Sequence, residues 1–414
     1  MSGSSTVPVV LLATRTYPPE VNAAAFRLGA LARALARRAG VTVITSTPAA
    51  HAPTIRDAAG VKVKRLPALR DRGGNIRGYV QYMSFDVPLL LRLIARRFSV
   101  AVAEAPPTTG AVTAVVAALR RRPFAYYAAD VWSDGVAAVG APRLVVGLMR
   151  SMERFVLRRA ACVLSVSDGV NERLAALGVD LAHVTVVGHG VDTTVFTPLA
   201  PASGDGAYFV YTGTMSEVHR PQVLVEAFAS IAPQHPDLTL RFYGQGVYEQ
   251  ELRDLSEHLV PGRVEFGGVI APELAARQLR GAVAALVTLA PGTGYEFAHP
   301  TKAYAAAACG TPVLYAGPDE FGAIVRENDL GLAVSHDPSA VADAMERLLK
   351  DRELGATERE RPRRAQWAAD NVSLEAVGAR AADAVLALAG LPRTAGRIEQ
   401  DQGPSVRPVQ EPPS

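Results

Sequence analysis

Residues 283–317, VAALVTLAPGTGYEFAHPTKAYAAAACGTPVLYAG, carry the pattern on which the fold of this 414-residue chain turns. An apolar run, Val283–Leu289, breaks into a loop of Gly, Pro and polar residues. A helix of small side chains starts at Pro300, and a second apolar run follows at Thr311–Tyr315. The order is strand, loop, helix, strand. Proline suits the first helical position because its missing N–H would have no partner there. The free N–H groups of the first turn, near Thr301 and Lys302, then face the loop. A helix N-terminus beside a lysine attracts anions. Taken alone, the stretch admits two readings: an anion site, or one more βαβ unit with an exposed lysine.

Length and composition narrow the class. A chain of 414 residues exceeds one ordinary core, which predicts two domains. Hydrophobic residues make up 49% and charged residues 20%, the balance of a globular protein. The two cysteines, Cys162 and Cys309, stand far apart without a CxxC. That pattern suggests neither a disulfide framework nor a zinc site, and it fits a reducing cytoplasm. Val7–Ala13 is short and runs into Thr-Arg-Thr, so it reads as a strand rather than a signal peptide. No apolar run approaches the roughly 20 residues that cross a bilayer.

The net charge of +3 is unevenly spread. Residues 1–180 hold 24 Lys and Arg against 11 Asp and Glu; residues 181–414 hold 19 against 29. The first half fits an anionic partner such as a membrane surface, a phospholipid-linked substrate or nucleic acid. A solvated, arginine-rich surface fits it equally.

Outward from the opening stretch the same alternation repeats. In the first half, strands are predicted at Val9–Ala13, Val41–Thr45, Val61–Leu66, Phe98–Ala103, Phe124–Ala129, Cys162–Val166 and Val184–Val187. Helices fall between them, among them Asn22–Arg38 and Arg143–Ala160. A basic amphipathic segment, Tyr79–Arg97, reads either as lying on a membrane or as a packed helix, with a break at Pro88. Residues 197–206, TPLAPASGDG, read as a linker. Beyond it come strands at Ala207–Tyr211, Leu238–Tyr243 and Val264–Phe266, helices at Pro221–Ala232, Glu249–Leu259 and Val341–Lys350, and two further helices to about Ala389. From Leu391 the Pro-, Gln- and Arg-rich tail is predicted to be disordered. Strand–helix alternation on both sides of a linker predicts two doubly wound parallel sheets, with ligands at their carboxyl edges.

Three loops of the second half offer groups for a diphosphate: Gly213–Arg220 with His219, Gly244-Gln245-Gly246, and the helix start at Thr301 and Lys302. Neither GxxxxGK[ST] nor GxGxxG is present, which disfavours a P-loop NTPase and a dinucleotide oxidoreductase. In the first half, Asn22 reads as a helix N-cap. Asp130-Val131-Trp132-Ser133-Asp134 follows a strand. Carboxylates beside a Trp suit sugar recognition, since Trp stacks on sugar C–H faces and carboxylates accept from hydroxyls; a capping Asp130 and a core Trp132 are the alternative. His189-Gly190-Val191-Asp192 reads as a structural turn.

Four motifs in order resemble a known family. They are YPPEVNAAAFRLGALARAL (17–35), DVWSD (130–134), SVSDGVNERL followed by VTVVGHGVDTTVFTP, and HPTKAYAAAACGTPV (299–313). Over about residues 8–390 the chain resembles retaining glycosyltransferases of family 4, of GT-B fold: two Rossmann-like domains with an interdomain cleft. It is most similar to the WbuB-like branch, which includes N-acetylfucosamine transferases. The resemblance implies an acceptor domain (1–196), the linker (197–206), a nucleotide-sugar domain (207–361) and helices crossing back (362–390), before the tail (391–414). It implies metal-independent transfer with retention, no cofactor, and a nucleotide-sugar substrate. Gly213, His219, Arg220, Thr301 and Lys302 would surround the diphosphate, and Gly268, Val269 and Ile270 would meet the base. Asp130 would act near the reacting sugar, with Asn22, Trp132 and Glu296 at the donor sugar or acceptor.

The implied partners are a glycan, lipid-linked or small polar acceptor and no nucleic acid, in the cytoplasm, with the inner face of the plasma membrane as a candidate contact. Polysaccharide biosynthesis is the implied setting. The sequence departs from the family pattern in two places. Ala305 stands where a ribose-gripping Glu is usual, and Thr214 stands where many members have Arg; Glu296 and Tyr304 do not restore the family's E-x7-E spacing. A degenerate GT-B protein that binds a glycan or partners an active transferase is therefore the second expectation, and a GT-B epimerase the third.

Overall fold

The computed structural model describes residues 7–20, 22–49, 56–71, 76, 78–138, 141–204 and 206–391. The expected disordered tail, apart from Leu391, and residues 72–75 and 77 of the stretch RDRGGNIRG (70–78), expected to be a Gly- and Arg-rich loop, lie outside those residues.

The first half runs β1 (Val9–Ala13), α1 (Ala23–Ala36), β2 (Gly40–Ser46), β3 (Val61–Leu66), α2 (Tyr79–Ile94), β4 (Val100–Glu104), α3 (Pro107–Leu119), β5 (Phe124–Ala128), α4 (Trp132–Ala138), α5 (Arg143–Arg159), β6 (Cys162–Ser165), α6 (Asp168–Ala176) and β7 (Val184–Val186). The second runs β8 (Tyr208–Thr212), α7 (Gln222–Ile231), β9 (Thr239–Tyr243), α8 (Glu249–Leu259), β10 (Val264–Phe266), α9 (Pro272–Gly281), β11 (Ala284–Thr288), α10 (Thr301–Ala308), β12 (Val313–Ala316), α11 (Asp319–Glu327), β13 (Gly331–Val334) and α12 (Pro338–Glu353), then α13 (Ala356–Asn371) and α14 (Leu374–Ala387).

Both sheets are parallel. Their strand orders are β3-β2-β1-β4-β5-β6-β7 and β10-β9-β8-β11-β12-β13. Each order reverses direction once, between β1 and β4 and between β8 and β11. Loops diverge at such switch points and leave a crevice at the carboxyl edge. The central strands, such as β1, β4, β5 and β11, read as continuous apolar runs because helices cover both faces. In β8, Phe209 and Tyr211 enter one core while Tyr208 and Val210 enter the other, as the two-residue strand period requires.

The domains are joined twice. In the linker, the Arg280 guanidinium donates to the carbonyls of Pro201 (2.9 Å) and Thr197 (3.2 Å). At the second crossing, Val191 N–H donates to Val372 O (2.8 Å) and Leu374 N–H to Val191 O (2.9 Å). From there α14 packs on α1 and adds Val377, Ala381, Val385 and Leu386 to the first-domain core. The return thus falls at Val372–Ser373 and not at 362. Pro362 lies inside α13. Its neighbours hold the helix to the second domain: Arg361 donates to Cys309 O (2.9 Å) and Arg364 to Gly310 O (2.9 Å).

Pro88 likewise lies inside an unbroken α2. Buried Phe85 and Asp86 before it and Leu89 and Leu93 after it anchor both halves of the helix, and that packing overrides the local preference for a break. Pro300 is the N-cap of α10 and not its first residue. The helices α4, α9 and α11 and the strand β13 carry no separate expectation in the sequence reading.

The α1–α14 seam is tight. A Cβ on Gly378 would stand 2.8 Å from both the carbonyl carbon and the oxygen of Ala30. Gly378→Val forces these helices apart and is expected to cost about 1–3 kcal/mol, read as a lowered urea midpoint. An unchanged midpoint would refute the seam.

Candidate functional site

The second sheet's switch point gathers the loop after β8 and the start of α10. Gly213 directly follows β8 with φ of +132°, a conformation open to glycine. Its N–H donates to Tyr243 O (2.8 Å). A side chain there would meet Lys302, whose Cε and Nζ lie 3.0 Å from the Cβ position. Lys302 therefore lies directly across the glycine. Its ammonium donates to the Tyr211 hydroxyl (2.7 Å), which in turn donates to Thr214 O (2.7 Å). No carboxylate pairs with Lys302 among the described residues. Desolvation pulls its pKa down from 10.5 to about 7. Beside it, Pro300 supplies no side-chain cap to α10, so the first-turn N–H groups near exposed Thr301 lack a side-chain acceptor.

The flanking residues divide. Arg220 is exposed, sits at a positive φ of +40° and makes no ion pair among the described residues, so its charge is available to a ligand. His219 is a neutral imidazole: burial, then the nearby Lys302 charge, push its pKa down to about 4, and its Nδ1 lies 2.9 Å from Ser216 Oγ. It is thus no third cation at neutral pH. Gly244 and Gly246 are committed to loop packing: their Cβ positions fall 1.9 Å from Gly213 O and 2.0 Å from Met215 O. The Gly-Gln-Gly turn thus buttresses the Gly213 loop. Gly268, at φ +65° with open space above it, accepts from Gly244 N–H (2.7 Å), and exposed Val269 and half-buried Ile270 follow.

Across the cleft, Asp130 is solvent-accessible just past the end of β5 and accepts from Val131 N–H (2.8 Å). The surrounding protein excludes enough water to raise its pKa. Trp132 opens α4, half-buried and edge-on to Tyr82, with ring centroids 6.2 Å apart. The helix is capped by buried Glu153, which accepts from Trp132 N–H (2.8 Å) and Ser133 N–H (3.1 Å), and not by Asp130. Asn22 has both ends of its side chain engaged by the fold: Oδ1 accepts from Ala25 N–H (2.9 Å) and Nδ2 donates to Thr16 Oγ1 (2.8 Å). Glu296 is folded back on its own loop, where its own N–H and those of Gly294, Gly292 and Thr293 hold its pKa down.

Three contacts that the sequence reading missed join the two edges. Arg173 of α6 pairs with Asp134 (2.9 Å), donates to Gly294 O (3.0 Å) and lies 4.0 Å over the Phe297 ring. Phe297 packs on Gly169, whose Cβ position would be 2.2 Å from Phe297 Cβ. His189 and His299 face each other at 5.9 Å. The structure thus brings Gly213, Lys302 and Thr301 together and sets Asp130 and Trp132 on the facing edge. Tyr211 was hidden in an apolar strand run, and spacing gives no signal for an arginine that reaches another domain. Among the described residues no group of three His, Cys, Asp or Glu side chains could hold a metal ion.

Residues 22–190 match the family described as "Glycosyl transferase 4-like domain" and residues 206–351 that described as "Glycosyl transferases group 1". A D-inositol 3-phosphate glycosyltransferase of Paenarthrobacter aurescens is 27% identical over 221 residues, 48% of this chain and 51% of that protein. A phosphatidyl-myo-inositol mannosyltransferase of Mycobacterium tuberculosis is 28% identical over 215 residues, 50% of this chain and 53% of that protein. The chain thus spans about half the length of the curated relatives it matches. Among solved structures, Anabaena HepE in complex with UDP superposes with a TM-score of 0.63 at 15% identity, over 89% of this chain and 97% of that one. Sucrose-phosphate synthase from Thermosynechococcus elongatus gives 0.65 at 20% identity, over 90% and 96%. These likenesses establish the fold.

An anion bound beside Lys302 would bind in a pH-dependent way. Below its free pKa of about 7 the ammonium is already charged. Above it, a bound diphosphate raises the pKa, so binding takes up a proton and affinity falls as pH rises, by up to about tenfold per unit. Calorimetry of UDP binding between about pH 7 and 9, in buffers of different ionisation heat, is expected to show that proton uptake. Lys302→Met should weaken binding and flatten the profile.

Proposed function

We infer that this chain, of GT-B fold with one half matching the glycosyl transferase 4-like family and the other the glycosyl transferases group 1 family, is a glycosyltransferase. We propose that it moves a sugar from a nucleotide donor on the second domain to a glycan, lipid-linked or small polar acceptor against the first, with retention and without a metal. One observation carries the reading: Lys302, without a carboxylate partner, lies across a side-chain-free Gly213 at the uncapped start of α10. Charge accumulates on the leaving diphosphate as the glycosidic bond breaks. A fixed ammonium and oriented N–H groups stabilise that charge more than they stabilise the ground state. Arg220 adds a solvent-exposed cation from the loop after β8. On this reading Asp130, at the carboxyl edge of the first sheet, acts on the sugar, and the backbone of Gly268–Ile270 meets the base. HepE binding UDP supports a uridine donor. The four motifs support the WbuB-like branch and, with it, a hexosyl or N-acetylhexosaminyl donor, while the relatives named for inositol phosphates support a polyol acceptor.

A panel of UDP-, GDP- and dTDP-sugars tests the reading by calorimetry and hydrolysis. At least one should bind and turn over slowly without acceptor, and Lys302→Ala should lower kcat/KM by about 10²–10³. Failure to bind or hydrolyse any of them would sink it. The second reading, a degenerate glycan-binding or partner protein, rests on Ala305. A large gain of nucleotide affinity in Ala305→Glu, with no wild-type turnover, favours it.

Peripheral membrane contact belongs to the same proposal. One face of α2 is buried; the other exposes Tyr79 (72%) and Leu91 (67%) beside exposed Arg92, Arg96 and Arg97. On α5, Leu144 (85%) and Leu148 stand out beside Arg143 and Arg150. Apolar side chains among arginines suit an anionic lipid surface, here the inner face of the plasma membrane. At low salt the protein should sediment with anionic vesicles and not with neutral ones; equal binding to both contradicts the contact. Both cysteines are buried, which suits a reducing cytoplasm. No helix among the described residues is long and apolar enough to cross a membrane.

A further inference from the structure

At the amino edge of the second sheet, opposite the cleft, lies a cavity of about 340 Å³ between the linker, the end of α9, the end of α12 and the start of α13. Three guanidiniums line it. Arg280 holds the linker carbonyls of Thr197 and Pro201. Arg352 gives one N–H to Gly281 O (3.1 Å). Arg361 donates to Cys309 O (2.9 Å) and Arg280 O (3.2 Å) and is paired with Glu358 (2.6 Å). Carbonyl contacts orient a guanidinium without neutralising it. Glu358 is the one carboxylate among the described lining residues, so three positive charges face one negative charge. They do so in the half of the chain where acids outnumber bases, 29 to 19.

Arg352 forms no direct ion pair among the described residues, although its charge acts on Glu358, and it gives one of its five N–H donors to Gly281 O. Its planar fork matches phosphate oxygens. Pro198, Ala200 and Ala282 add apolar surface to the lining. The volume exceeds what a bare phosphate fills.

We propose that this cavity binds a phosphate monoester with a small organic body, at a site separate from the donor cleft. The phosphate lies between Arg352 and Arg280, and the organic body lies against the linker wall. A bound ligand thereby ties the domain-joining segment to α9 and α12.

Calorimetry on the full chain tests this with glucose 6-phosphate and inorganic phosphate as probes. Glucose 6-phosphate should bind saturably to wild type and equally to Lys302→Ala, and at least tenfold more weakly to Arg352→Gln. Inorganic phosphate should bind more weakly than the ester. Melting without ligand checks that Arg352→Gln is folded. Ala200→Trp, which fills the cavity from the linker, should give the same loss by a route that leaves every arginine in place. Absence of saturable binding overturns the site, as does binding lost in Lys302→Ala but kept in Arg352→Gln. Equal affinity for the two probes overturns the organic-body assignment.

Discussion

A half-buried ammonium whose recorded partner is a tyrosine hydroxyl is the interaction that most of this architecture serves. Lys302 is removed from water, given Tyr211 as acceptor and left without a carboxylate among the described residues. Such a group costs stability in the empty protein, because desolvation of a charge is only partly offset by one hydrogen bond. The cost makes sense where a ligand brings the missing negative charge. The helix N-terminus beside the lysine adds partial positive charge to the same point.

The surrounding glycines follow from that requirement. Lys302 can cross the β8 loop only because Gly213 carries no side chain. The loop holds its shape because Gly244 and Gly246 let the next turn pack against its backbone at distances no Cβ would tolerate. The parallel order of the sheet sets β8 beside β11 and so brings two distant stretches of sequence to one crevice. On the facing edge, Arg173 and Phe297 fix how the first domain meets the loop before α10. Site and domain contact thus share residues 292–302.

Much of this was legible in the sequence. Apolar runs at regular intervals gave the strands, and the stretch 283–317 gave the lysine at a helix start. Local signals failed where long-range packing outweighed them. Pro88 read as a break, yet buried anchors on both sides keep α2 whole. Gly244 and Gly246 carried a phosphate-loop signal that the fold uses for packing, while Asn22 caps α1 as its place before that helix indicated. His219 looked cationic, but burial keeps it neutral. Arg173, Phe297 and Glu153 had no signal, since each acts on a partner far along the chain or in the other domain.

The central claim concerns one proton on one nitrogen, and it can be observed there. A pH titration of the Lys302 side-chain 15N resonance, assigned through Lys302→Arg, should give a pKa of about 7 in the free protein, rising well above that with UDP bound. A free-protein value near the ordinary 10.5 of lysine, or one that UDP leaves unmoved, would contradict the account.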